Sequence, residues 1–140
     1  MRIVADTDLI VAAMRSPSGA SAAILGAVRR EKLQVLLSVP LGMEYEAVCL
    51  RPEHQIAAGL SEQEVVIFVD AVIAMAEPVK IHFLWRPQLR DPTDEMVLEA
   101  AVNGRADLLV TFNERDYGTV PERFGIQVMT PRRALERIGK

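Results

Sequence analysis

The amino-acid sequence predicts an α/β protein in which helices cover both faces of a five-stranded, mainly parallel sheet, a three-layer α/β/α arrangement. Short, mostly apolar runs alternate with longer runs of helical periodicity from one end of the chain to the other. Half of the 140 residues are hydrophobic and a quarter are charged, which is typical of a chain with a packed core. No repeat, low-complexity tract or linker is visible, so we expect one domain over residues 1–140.

The predicted strands are short and apolar, as expected of parallel strands that are buried on both faces. The first is Arg-Ile-Val-Ala at residues 2–5. The others lie at residues 33–37, 79–83, 108–110 and 126–129. Five such strands suffice for one sheet.

The predicted helices lie between and after these strands, at residues 21–30, 41–50, 62–76, 93–103 and 132–138. Ser61 followed by Glu64 has the spacing of a capping box. Asp91-Pro92 combines an N-cap with a proline at the first helical position, and Pro131 opens the last helix in the same way. These start signals support the helix assignments.

The cellular location is predicted from cysteine usage and the N-terminus. Cys49 is the only cysteine, which excludes an internal disulfide and a zinc site built on paired thiolates. Asp6 interrupts the N-terminal apolar run where an export signal would continue. The most apolar stretch, residues 65–76, contains Asp70 and is far shorter than the ~20 residues that cross a bilayer. We expect a soluble, cytoplasmic protein.

The formal net charge of −3 argues against broad electrostatic attraction to nucleic acid. If the substrate is RNA, it must therefore be held locally.

Two acids follow predicted strands. Asp6 comes directly after the run 3–5, with Asp8 two residues further on, and Asp116 follows residues 108–110 through a turn. In open parallel sheets, ligands bind beyond the carboxyl ends of the strands. Aspartates also begin loops and cap helices, so each residue alone has a purely structural alternative.

Glu44 is more informative, because helical periodicity places it beside Leu41 and Val48 on an apolar stripe, while Glu46 points away. A glutamate on the core side of a helix is unfavourable unless another group compensates its charge.

Asp94 repeats this pattern. It shares a helix face with Val97 and Leu98, whereas Glu95 and Glu99 are predicted to lie on the outer side. The alternative is structural, since an acid in the first turn of a helix interacts favourably with the helix dipole.

Taken together, Asp6, Glu44, Asp94 and Asp116 are predicted to converge at one edge of the sheet. Carboxylates held that close repel one another, and a cation is the simplest way to neutralise them. Hard oxygen ligands select Mg²⁺ or Mn²⁺ over Zn²⁺. A divalent metal of this kind supports phosphodiester cleavage.

The arrangement of these residues resembles the PIN-domain family over essentially the whole chain. The opening Ile-Val-Ala-Asp-Thr-Asp-Leu-Ile-Val, residues 3–11, is similar to the family's first strand and first acid. Asp-Pro-Thr-Asp-Glu-Met-Val-Leu-Glu-Ala-Ala at 91–101 and Ala-Asp-Leu-Leu-Val-Thr-Phe-Asn-Glu-Arg-Asp-Tyr at 106–117 resemble the second half of its signature. Met-Glu-Tyr-Glu-Ala-Val, which contains Glu44, stands in the place of the family's helical acid.

The resemblance implies a metal-dependent endoribonuclease that prefers single-stranded RNA. Asp6, Glu44, Asp94 and Asp116 would be both the catalytic residues and the ligands of Mg²⁺ or Mn²⁺. The resemblance further implies that Thr111 and Asn113 position ligands or bind the substrate. The sequence departs from the family pattern at Asp8, where many relatives have Asn, and at Asn113, where many have Asp. These departures leave open whether Asp8 or Asp91 joins the site.

A small stand-alone chain of this kind resembles the toxins of VapBC-type toxin-antitoxin pairs, which implies a small antitoxin protein as partner. The helix predicted at 62–76 is apolar on more than one face, so it is either deeply buried or in contact with a partner, an antitoxin or a second copy in a homodimer. Arg15 and Ser16, expected in a loop after the first strand, and Arg115 are candidates for phosphate contact.

Three other classes of protein share features with this sequence. A haloacid dehalogenase-type phosphatase has a similar Asp6-Thr-Asp8 motif but needs a lysine and an acidic pair after the strand that ends at Thr111, and the order here is wrong. A signalling receiver domain needs an aspartate after its third strand and a lysine after its fifth. Neither Phe83 nor Thr130 supplies one. The third alternative, a catalytically silent PIN-like module that binds RNA or protein, is compatible with the sequence.

Overall fold

The computed structural model describes residues 1–82 and 89–139, and five parallel strands form its central sheet in the order β3-β2-β1-β4-β5. The strands are β1 (Arg2–Ala5), β2 (Gln34–Leu37), β3 (Glu77–Pro78), β4 (Leu108–Val110) and β5 (Gln127–Met129). Every strand pair is parallel. The predicted α/β class and the five-stranded parallel sheet are confirmed.

The described residues form seven α-helices around this sheet. They are α1 (Thr7–Arg15), α2 (Ala20–Arg29), α3 (Val39–Cys49), α4 (Pro52–Ala58), α5 (Glu62–Met75), α6 (Pro92–Asn103) and α7 (Pro131–Ile138). Crossovers between parallel strands are right-handed, and the strand order runs one way from β1 to β3 and the other way from β3 to β5. The helices between β1 and β3 therefore cover one face, and α6 covers the other.

Strand β1 lies at the centre of the sheet, paired with β2 on one side and β4 on the other. Ile3, Val4 and Ala5 are fully buried, as are the apolar side chains of β4. An apolar strand of this kind is stable only where both faces are covered, which fixes it in the middle of the sheet.

The helix start signals are present as predicted. Ser61 and Glu64 form a complete capping box at the start of α5, and the Asp91 carboxylate accepts a hydrogen bond from the Thr93 N–H (2.8 Å) at the start of α6. These local hydrogen bonds satisfy N–H groups that have no partner within the helix.

Two helices were not predicted. Helix α1 begins directly after Asp6, and its buried Leu9, Ile10 and Ala13 recur at helical spacing. Arg15 is the last residue of this helix, so the prediction that Arg15 lies in a loop is wrong. Ser16 is the C-cap residue of the helix. Helix α4 buries no residue, which is why it has no apolar periodicity to detect.

The third strand was predicted in the wrong place. It comprises Glu77 and Pro78 and not the apolar run 79–83, of which Phe83 lies outside the described residues. The Val79 N–H still donates to the Leu37 carbonyl (2.9 Å). Proline is tolerated here because β3 is an edge strand.

The outer side of α6 is more buried than predicted. Glu95 and Glu99 are each 4% exposed, although helical periodicity placed them on the outer side. The Leu89 N–H donates to Glu95 Oε1 (2.6 Å), so the chain preceding α6 folds over that side of the helix. Periodicity within a helix does not reveal such a neighbour.

Helix α5 is not deeply buried. It buries Val65, Val69 and Val72, while Ile67 is 62% and Ile73 is 41% exposed. An exposed apolar face of this kind leaves room for a partner.

No single described helix is long and apolar enough to span a membrane, and α1 and α2 pass that test only as a pair bent by 100°.

Gly104, which ends α6, allows close packing against β2. A Cβ atom at this position would lie 2.8 Å from Leu36 Cδ1 and 2.9 Å from the Ala100 carbonyl oxygen. We expect Gly104→Ala to lower the free energy of unfolding by about 1–3 kcal/mol in chemical denaturation, because the backbone oxygen cannot move aside cheaply.

Gly26→Ala is the matched control for this prediction. Its new Cβ would meet only the mobile end of the Arg30 side chain, at 3.3 Å. Gly26 lies inside α2, where alanine is the better helix former, so no loss is expected. Equal losses in the two variants would contradict the packing argument.

Candidate active site

The order of the strands changes direction at β1 and β4, and the candidate site lies at the carboxyl ends of these two strands. In open parallel sheets this crevice is where ligands bind. Asp6 follows β1 directly and Thr111 follows β4 directly. Both side chains are buried. The sheet therefore places two polar side chains side by side at its own switch point.

All four acids predicted from the sequence line one cleft, which has a volume of about 660 Å³. Asp6 and Asp94 are buried at 5% and 8% exposure, Glu44 on α3 is half-buried, and Asp116 is exposed in a short 3-10 helix, Glu114–Tyr117. The cleft is also lined by Asp8, Asp91 and Asn113. The predicted convergence of strand-end and helical acids is thus present in the structure.

A buried tyrosine joins the two most buried acids. The Tyr117 hydroxyl donates to Asp6 Oδ2 at 2.8 Å and lies 3.4 Å from Asp94 Oδ1. Because a phenol has one proton, the shorter contact is the main hydrogen bond. Thr111 Oγ1 also donates to Asp6 Oδ2 (2.8 Å). Asp6 is therefore held in one orientation by two donors.

Asp8 is fixed by the segment after β4. Its Oδ2 accepts from the Phe112 N–H (3.1 Å) and from Asn113 Nδ2 (2.9 Å), and lies 3.2 Å from Thr111 Oγ1. Its Oδ1 is buried without a hydrogen-bond partner among the described residues. Thr111 and Asn113, predicted to position ligands or bind substrate, thus contact the acids themselves.

Glu44 is brought to the cleft by the packing of α3 against α6. The Thr93 hydroxyl donates to Glu44 Oε1 at 3.4 Å, and Asp91 caps the same turn of α6. The start of α6 therefore positions an acid on the neighbouring helix as well as its own Asp94.

Burial and repulsion from neighbouring carboxylates make two acids of the cleft, Asp94 and Asp8, hard to ionise. Burial, followed by repulsion from Asp6, Asp91 and Asp116, raises the pKa of Asp94 to about 7. Burial and the neighbouring Asp6 raise the pKa of Asp8 to about 6. The pKa of Tyr117 is raised for the same reasons, so its hydroxyl remains a donor. A cation in the cleft would relieve this repulsion.

The donor set fits a hard divalent cation. It consists of carboxylate oxygens, and Asp8 Oδ1 is one buried acceptor that receives no hydrogen bond from residues 1–82 or 89–139. No three His, Cys, Asp or Glu side chains in the part of the chain that the structure describes are grouped to hold a metal by themselves. Mg²⁺ does not need such a group, because it commonly binds through one or two carboxylates and completes its shell with water and phosphate.

Several residues of the cleft were not predicted from the sequence. Tyr117 follows Asp116, and its aromatic character was noted only as part of the family pattern. Arg51 and His54 line the cleft because α4, which was not predicted, brings them there. A second buried tyrosine, Tyr45, donates to the Ala5 carbonyl beneath the site.

A sequence model of the PIN domain family matches residues 2–115, a range that contains Asp6, Glu44 and Asp94 and ends one residue before Asp116. No curated protein matches the chain by sequence.

Among solved structures, the fold is similar to a chain in the crystal structure of VapBC2 from Rickettsia felis bound to a DNA fragment from their promoter. The TM-score is 0.65 at 12% sequence identity, and the match covers 93% of this chain and 98% of that one. At this level of identity the likeness shows a shared fold.

Proposed function

This chain belongs to the PIN-domain family, and we propose that it is a metal-dependent endoribonuclease that cleaves single-stranded RNA. PIN domains are generally nucleases, so hydrolase activity follows from the family, while the metal and the RNA substrate are our proposal. The observation that carries it is the cleft at the switch point of the sheet, where Asp6, Glu44, Asp94 and Asp116 meet.

The four acids would hold Mg²⁺ or Mn²⁺ in this cleft. The chemistry that such a cation supplies is activation of water and neutralisation of charge on the phosphodiester. Tyr117 and Thr111 hold the Asp6 carboxylate in place, and Asn113 holds Asp8. These polar residues fix the acids before the substrate arrives, which lowers the cost of reaching the reactive geometry.

The depth of the site favours a single strand over a duplex. Asp6 and Asp94 are almost completely buried at the base of the cleft. The phosphates of a duplex lie on a rigid, wide cylinder, whereas a flexible single strand can lower one phosphate into a cleft.

The likeness to a chain of the VapBC2 complex supports a toxin role, with a small antitoxin protein as partner. A cytoplasmic location is part of the proposal and is suggested only by the single cysteine and the N-terminal sequence. The exposed apolar side chains of Val39 and Met43 on α3 and Ile73 on α5 border one groove. Such a surface suits an antitoxin or a second copy of the chain.

Cleavage of a mixed-sequence single-stranded RNA tests the proposal. We expect cleavage by the wild-type protein with Mg²⁺ or Mn²⁺, none with excess chelator, and none by the Asp6→Asn, Asp94→Asn double variant. Duplex RNA of the same sequence should be cut far more slowly. A folded wild-type protein that binds RNA but does not cut it with either metal would instead identify a catalytically silent binding module.

Tyr117→Phe should reduce cleavage about 10- to 100-fold, because the hydroxyl that orients Asp6 is lost. We expect the Mn²⁺ concentration for half-maximal cleavage to rise, as the acid is less well positioned. Tyr45→Phe is the control, since it removes a buried hydroxyl that bonds a backbone carbonyl and no acid. The same shift in Mn²⁺ dependence in both variants would contradict a positioning role for Tyr117.

A further inference from the structure

Two clefts adjoin at the carboxylates. Asp91, Asp94 and Asp116 line the cleft of about 660 Å³ described above and also a second cleft of about 530 Å³. The first extends towards the end of α1 and the start of α4, and the second extends along Leu89–Asp91 and the 3-10 helix that contains Asp116. These three acids are shared by the two clefts, which together form a longer surface channel.

Each of the two clefts is lined by two exposed arginines. Arg15 and Arg51 line the first cleft, and Arg90 and Arg115 line the second. None of the four makes an ion pair or donates a side-chain hydrogen bond to a residue in the ranges 1–82 and 89–139. Arg2 is different, since it binds Glu77 at 2.7 Å and the Gly104 carbonyl at 2.8 Å. The channel arginines are thus free to bind a ligand.

The negative net charge of the protein explains why an RNA substrate would need these arginines. The chain carries a net charge of −3, and the middle of the channel is lined by carboxylates, so an RNA strand gains nothing from long-range attraction. A metal ion in the centre would offset only the repulsion at the phosphate that is cut. The flanking phosphates need cations of their own, and the guanidinium fork matches phosphate geometry.

We propose that a single RNA strand crosses the site along this channel, with phosphates on one side of the cleavage point held by Arg15 and Arg51 and phosphates on the other side held by Arg90 and Arg115. The inference rests on the proposed nuclease function and adds the path of the substrate. It specifies a substrate that continues in both directions from the cleavage point, so the enzyme would cut internally and not at chain ends.

The first test is the salt dependence of RNA binding. Fluorescent single-stranded RNA is titrated with three double variants in an Asp6→Asn background: Arg15→Ala with Arg51→Ala, Arg90→Ala with Arg115→Ala, and the control Arg132→Ala with Arg133→Ala. The control pair lies on α7 and lines neither cleft. Each channel pair should weaken binding about tenfold or more and reduce the slope of log Kd against log salt by about 1.4, while the control changes neither. Equal effects in all three would overturn the inference.

The second test determines whether the two arginine pairs bind RNA on opposite sides of the cleavage point. A substrate with one mapped cleavage point is shortened stepwise from its 5′ end or from its 3′ end. Wild-type cleavage should slow with either truncation. For this test the same arginine pairs are replaced in the otherwise wild-type protein, which keeps Asp6. One channel variant should become insensitive to shortening from one end only, and the other variant to shortening from the opposite end. The path would be refuted if both variants became insensitive to truncation from the same end. It would also be refuted if neither variant became insensitive to truncation from either end.

These outcomes distinguish a failure of the proposed RNA path from a failure of the proposed nuclease function. If the wild-type protein does not cleave RNA, the nuclease proposal fails and the path fails with it. If the wild-type protein cleaves normally and both channel variants match the control, the nuclease stands and only the path is wrong. Thermal unfolding of each variant is the check on folding, and we expect the fold to be kept because all four arginines are exposed.

Discussion

Asp6→Asn is expected to lower RNA cleavage by about 10³-fold or more without unfolding the protein. The acid lies at the centre of the cleft and would be a direct ligand of the metal, whose contribution to charge stabilisation is several kcal/mol. Asparagine keeps an oxygen that can accept from Thr111 and Tyr117, both of which bond Asp6 Oδ2 at 2.8 Å. The local hydrogen bonds can therefore persist while the charge is lost.

The measurement is single-turnover cleavage at saturating Mn²⁺, with thermal unfolding as a check on folding. Asp70→Asn is the matched control, because Asp70 is an exposed acid on α5 that lines no part of the cleft. The control should cleave at the wild-type rate. An Asp6→Asn protein that retains more than about a tenth of the activity would remove Asp6 from the metal site.

Asp94→Asn is expected to stabilise the metal-free protein above pH 7 while it abolishes activity. Burial and the neighbouring acids raise the pKa of Asp94 from 3.8 to about 7, so the folded state holds this proton more tightly than the unfolded state. The favourable contribution is complete below about pH 4 and is lost as the pH rises through about 7. At pH 8 the wild-type protein carries the repulsion and the variant does not.

We expect a gain of about 1–2 kcal/mol in the free energy of unfolding at pH 8 with chelator present, since water in the cleft screens part of the repulsion. Chemical denaturation of both proteins at pH 5 and pH 8 measures it, and the difference should shrink at pH 5. Adding Mn²⁺ should stabilise the wild-type protein more than the variant. A variant that is less stable than the wild type at pH 8 would show that Asp94 has a structural role.

Much of the fold follows from local sequence patterns. Strands β1 and β4 are apolar and central, and both begin and end where predicted. Strand β3 was misplaced because it is two residues long and contains a proline, which is tolerated only by its edge position. Its place depends on pairing with β2, and local propensity does not report such pairing.

Helix α1 shows why some elements escape a sequence-based analysis. It starts immediately after Asp6 and contains β-branched residues such as Ile10 and Val11, which have modest helix propensity. It is stabilised by packing against α2 and α3. Arg15 and Ser16 were expected in a loop after the first strand for the same reason.

The acids of the site could be predicted because their positions conflict with the local pattern. Glu44 and Asp94 lie on apolar helix faces, and Asp6 follows a buried strand. Tyr117 could not be assigned from pattern, since a buried tyrosine usually belongs to the core and its partners are 23 and 111 residues away. Arg51 depends on α4 reaching the cleft, which only the tertiary structure reveals.

The central claim, that this cleft binds a divalent cation through its carboxylates, is tested most directly by Mn²⁺ binding without RNA. Isothermal titration at pH 7.5–8 (about one pH unit above the pKa of Asp94) should give saturable binding to the wild-type protein and to Asp70→Asn. Binding should be lost in the Asp6→Asn, Asp94→Asn double variant. Equal Mn²⁺ affinity in the folded double variant and the wild type would contradict the claim, because the cation would then be bound elsewhere.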